Sequence, residues 1–97
     1  MHYLLDANGD ATPCPNLIEW ATRWDEQDRK VAHYRHWGIL VSTVFLGIDH
    51  SWTGEGPPIL WETMIFGGRH DEYQERYSSR AAALRGHARA LALVETT

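Results

Sequence analysis

The sequence has one cysteine, Cys14, and no long apolar run. A lone cysteine excludes an intrachain disulfide and a cysteine-based zinc site within one chain, and it suits a reducing compartment. No segment reaches the roughly 20 consecutive apolar residues that a membrane-spanning helix needs. The opening Met-His-Tyr-Leu-Leu-Asp has neither a basic start nor a continuous apolar stretch. The protein is therefore expected to be soluble, unsecreted and cytoplasmic, with no membrane partner. Positive charge is also short: nine Lys and Arg against thirteen Asp and Glu leave a net charge of −4. That balance argues against the broad cationic surface that holds nucleic acid. The deficit is uneven. Residues 1–68 carry four basic and nine acidic side chains and residues 69–97 five and four, which leaves room for a local basic face near the C-terminal end.

Catalytic signatures are missing as well. There is no HExxH, no GxSxG, no phosphate-binding glycine loop and no dinucleotide fingerprint. No cofactor is expected, and the enzyme reading is weak. What is present is aromatic weight: five Trp, four Tyr and two Phe. Such side chains dominate cores and interfaces, and at 97 residues they exceed what one thin core consumes. Length allows one domain, residues 1–97.

The stretch around which the chain is organised is VSTVFLGIDHSWTGEGPPILWETMIFGG, residues 41–68. Two strand-like runs, 41–48 and 59–66, flank a polar loop with glycines and Pro57-Pro58, a hairpin with a decorated connection. In the first run Val41, Thr43 and Phe45 share one face and Ser42, Val44, Leu46 and Ile48 the other, so the strand is expected at the centre of the sheet. In the second, Leu60, Glu62, Met64 and Phe66 fall opposite Ile59, Trp61, Thr63 and Ile65. Glu62 thus sits among apolar neighbours. Either it is buried with an arginine or a hydroxyl as partner, or the strand is an edge and Glu62 faces water.

Before this stretch, Asp6-Ala7-Asn8-Gly9-Asp10 predicts a small N-terminal hairpin. Asn16 precedes Glu19 by three residues as an N-cap would, and a helix is predicted over 16–29 with Leu17, Trp20, Ala21 and Trp24 as the stripe that packs on the sheet. Residues 31–36 predict a strand that turns at Trp37-Gly38. After it, 72–78 predicts a last strand with Tyr73 and Tyr77 on one face and Gln74 and Arg76 on the other. Ser78 or Ser79 then caps a helix over 79–94, whose buried stripe is expected to be Leu84, Ala88, Leu91 and Ala92, with Ala81 at its start and Gly86 allowing close approach. The fold class is α+β: an antiparallel sheet of four to five strands with two helices packed on one face.

Loops of this decorated kind concentrate binding residues. Trp52 together with Arg69, Arg76, Arg85 and Arg89 is expected to supply stacking and charge-assisted hydrogen bonds suited to an acidic protein surface or an anionic small molecule, and His50 and Glu62 complete the candidate binding set. The competing enzyme reading is a metal-dependent hydrolase built from Asp49, His50, Glu62 and His70, with Asp71 nearby. No metal-ligand spacing fixes that set.

The runs VSTVFLGIDH, GPPILWETMIFGG and YQERYSSRAAALRGHARAL, together with the opening YLLDANGDATPCPNLIEW, resemble small uncharacterised proteins encoded in bacteriophages and prophages. The resemblance spans nearly the whole chain and carries no catalytic or ligand residue. It implies an accessory binding protein, a homodimer in the cytoplasm of the bacterial host. Such a protein counters a host defence stoichiometrically by binding a host protein or sequestering a signalling nucleotide. A virion assembly role is a further alternative.

Overall fold

The computed structural model describes residues 1–95. The chain runs β1 (Tyr3–Leu5), β2 (Ala11–Pro13), α1 (Leu17–Glu26), β3 (Lys30–His36), β4 (Ile39–Phe45), β5 (Trp61–Phe66), β6 (Gln74–Tyr77) and α2 (Arg80–Glu95). Strands β3 to β6 form an antiparallel meander in chain order, and β1 and β2 form a separate hairpin. The class is α+β, as expected. No helix among the described residues is long and apolar enough to cross a membrane.

The period-two pattern of the central strands decides the layers. Val41, Thr43 and Phe45 stand opposite Ile65, Thr63 and Trp61 in register, and all six are buried. Helix α2 covers this face through Ala83, Gly86, His87, Ala90 and Val94. The stripe predicted for this helix is therefore displaced. Leu84 is exposed, as are Ala88 and Ala92, while Leu91 is half-buried. The sheet selects small residues because they bring the helix axis close, and apolarity alone did not mark them. Gly86 lies against Tyr77, so an added Cβ would overlap the phenol.

Helix α1 starts where Asn16 Oδ1 accepts a hydrogen bond from the Glu19 amide (3.0 Å), the expected cap. Its packing differs from expectation. None of its residues is fully buried, and Leu17 and Ala21 are exposed. The helix lies on the N-terminal hairpin: Trp20 Nε1 donates to the Tyr3 carbonyl (2.9 Å), and Gln27 donates to the Leu5 carbonyl (2.9 Å). Only Trp24 reaches the main core, with its ring centroid 5.8 Å from that of Phe45 and its edge seated on Gly47.

The return strand is shorter than the predicted 41–48 run as a regular element, yet it keeps pairing beyond Phe45. The Tyr3 amide donates to the Gly47 carbonyl (2.7 Å), and His2 bridges Ile48. β1 thus takes over from β3 as the neighbour of the central strand and carries it toward the loop. Among the described residues no helix packs on the sheet's other side. Leu40, Ser42 and Val44 there meet Phe66, Met64 and Glu62.

Candidate functional site

The loop at residues 49–58 is held at its base by one carboxylate. Asp49 accepts from the Ser51 amide (2.8 Å), the Ser51 hydroxyl (2.9 Å) and, across the loop, the Ile59 amide (2.8 Å). The Ile59 and Ser51 amides hold its carboxyl below the ordinary range, because both bonds favour the ionised form. The His50 amide donates to the Ile59 carbonyl (2.9 Å), and the His50 ring meets the Ile48 carbonyl at 2.6 Å. A carbonyl only accepts, so Nδ1 carries the proton and Nε2 is left as the acceptor of the neutral ring. Pro57-Pro58 stiffens the return limb. On this frame Trp52 is 99% exposed, so the loop presents the whole indole to solvent.

Glu62 follows the first of its two expected readings. It is buried, accepts from Arg76 Nε (2.8 Å) and is also bonded by Gln74 Nε2. Arg76 stands directly across from it on β6. Both belong to the helix-free side of the sheet. Arg89, in contrast, lies on α2 and pairs with Glu75 on the helix side. Arg85 is exposed on the same helix. The sheet therefore separates Arg76 from Arg85 and Arg89, and the single contact surface expected for these arginines with Trp52 is corrected to separate regions. The physical reason is strand alternation: residues 75 and 76 of one strand must point to opposite faces.

The proposed hydrolase residues are committed elsewhere in the fold. Asp49 organises its loop, Glu62 is bound to Arg76, and Asp71 accepts from the Gly67 amide (2.6 Å). Among the described residues no group of three or more His, Cys, Asp or Glu side chains is placed to hold a metal ion. Asp6, whose spacing to Asn8 and Asp10 echoes a calcium loop, accepts the amides of both and so closes its own turn.

Sequence reasoning missed a buried polar chain beneath α2. Thr43 Oγ1 lies 2.6 Å from Thr63 Oγ1 and 2.7 Å from His87 Nδ1. Burial holds the His87 imidazole below its ordinary range, with His33 a lesser contributor of the same sign. A hydroxyl beside an imidazole is the arrangement of an activated nucleophile. Here both threonines are fully buried, so no substrate reaches them and the chain fixes helix to sheet. The Tyr77 hydroxyl is buried next to it, near Thr63 and Glu75 but without hydrogen-bonding geometry, and burial pushes its phenol up to about 12. The missed signal was the facing of two inward threonines on adjacent strands with a histidine among alanines on a helix.

No protein-family model, curated protein or solved structure matches the chain.

Proposed function

We propose that this protein is a phage-encoded accessory protein that acts by stoichiometric binding, inserting Trp52 into an apolar pocket on a host protein and so inhibiting a host defence. The observation that supports this most is the 99% exposed Trp52 at the tip of a loop braced by Asp49. A tryptophan contributes nothing to folding when its ring is in water, whereas rigid exposed tryptophans are the residues that anchor interfaces. Bracing lowers the entropy lost on binding. A host protein is favoured over a captured nucleotide because Arg76 and Arg89 stand on opposite sides of the sheet, each already paired with a carboxylate. These two arginines therefore do not converge to clamp one phosphate.

The test is phage challenge of bacteria that express the protein. Wild type should restore plaque formation on a host whose defence is active and should retain one host protein in a near-equimolar complex. Trp52→Ala, with its melting temperature unchanged, should lose both. Equal protection by the two forms would refute the anchoring role.

A further inference from the structure

The helix-free side of the sheet has a charge layout opposite to that of the whole chain. Strand register places Lys30, His33 and Arg35 of β3 along one margin and Arg76 of β6 along the other. Between them run Leu40, Val44, Met64 and Phe66 of the two central strands. The placement of β3 is fixed by the His33 Nε2 to Ser42 Oγ contact at 2.9 Å, which puts both on this side. Phe66 is 44% exposed, and Leu40, Val44 and Met64 are half-buried, with no helix or strand among the described residues packed over them. Lys30, Arg35 and Arg76 stand here with two carboxylates, Glu62 beside Arg76 and Asp28 at the Lys30 end, on a protein of net charge −4. Neither Lys30 nor Arg35 forms an ion pair among the described residues. The local field is felt by His33, whose imidazole is held below its ordinary range by partial burial first and then by Lys30 and Arg35, against a smaller opposing pull from Asp28.

We infer that this open sheet face is a second docking surface, which takes an amphipathic helix of a partner protein with apolar residues on its buried stripe and Asp or Glu on both flanks. Two matches favour that occupant. Three strand spacings separate β3 from β6, about 14 Å, while a helix with its side chains is about 10–12 Å across. A helix laid on Leu40, Val44, Met64 and Phe66 therefore places its flanks over the two cationic margins. Charge supplies the second match: acidic residues meet Lys30 and Arg35 on one side and, on the other, the outer end of the Arg76 guanidinium, whose Nε alone is engaged by Glu62, and like charges are excluded. The opposite face of the same sheet already receives a helix, α2, on its apolar strip. Nucleic acid fits less well, because three cations release few counterions and the centre of the face carries Glu62.

The experiment uses the full chain and two synthetic helical peptides of about 18 residues, five turns, with the same leucine stripe and either Glu or Lys on both flanks. The Glu-flanked peptide should bind, weaken as salt is raised, and bind about tenfold less tightly to the Lys30→Glu/Arg35→Glu variant. That variant changes two exposed side chains that form no ion pair among the described residues, and its unfolding midpoint serves as the folding control. Trp52→Ala should leave this affinity unchanged, so failure here is distinguishable from failure of the loop's role. The inference is overturned if neither peptide binds at up to about 1 mM, a value corresponding to negligible recognition. It is equally overturned if the two bind alike, if a single-stranded oligonucleotide displaces the Glu-flanked peptide more tightly than it binds, or if the face proves to be occupied by a second copy of the chain whose association Lys30→Glu/Arg35→Glu abolishes.

Discussion

Gly86 sets how near α2 comes to the sheet. Replacing it with alanine gains about 1 kcal/mol of helix propensity, but the new methyl overlaps the ring and hydroxyl of Tyr77, and overpacking against a rigid ring costs about 1–3 kcal/mol or more. Gly86→Ala is therefore expected to lower unfolding free energy by about 2 kcal/mol in urea titration. A gain in stability would show that α2 has room to lift. His87 acts through its protonation. The imidazole is held below its ordinary value near 6.5 in the folded protein, so between the folded and unfolded values the unfolded state binds more protons. Stability is then fully present above pH 6.5 and is lost as pH falls through the folded value. His33 shifts in the same direction but is exposed and contributes less. Thermal melts from pH 7.5 to about 5 should thus decline in the wild type and flatten in His87→Gln, while His33→Gln should behave like wild type. Thr43→Val leaves Thr63 and the His87 ring without their shared partner, and a loss of about 1–3 kcal/mol is expected.

At the scale of elements, the loop is a base and a tip with different roles. Asp49→Ala removes the acceptor of the Ile59 and Ser51 amides, so hydrogen exchange should quicken across residues 50–59 while strands β4 and β5 keep their protection. Unchanged exchange in the loop would mean that the prolines alone hold it. The elements themselves were largely legible. Alternation at residues 41–45 and 61–66 gave both sheet faces, Asn16 gave the first helix start, and Ser78 or Ser79 gave the second, of which Ser79 is the one whose hydroxyl accepts from the Ala82 amide. Of the buried face of α2 the close approach at Gly86 was legible but the stripe around it was not, because hydropathy ranks Leu84 above Ala83 and His87 whereas close packing on the sheet ranks them the other way. The same limit applies to α1, where Leu17 matches the helical period but is exposed, while Trp20 and Gln27 bond the hairpin and Trp24 meets Phe45.

Over the whole molecule, the sheet divides labour. One side is closed by α2 and the buried threonine–histidine chain, the other is open, and the central strand carries the chain past β1 to the Trp52 loop. Residue types alone suggested His50, Trp52 and Glu62 with three arginines as one site. Only tertiary placement separates them, since adjacent positions on β6 serve opposite faces. The most direct measurement of the anchoring role is the affinity of the purified host partner for wild type and for Trp52→Ala by titration calorimetry. Removal of a central tryptophan anchor, with a cost of about 2 kcal/mol or more, predicts binding at least about thirtyfold weaker with an unchanged melting temperature. Equal affinity of the two forms would contradict it.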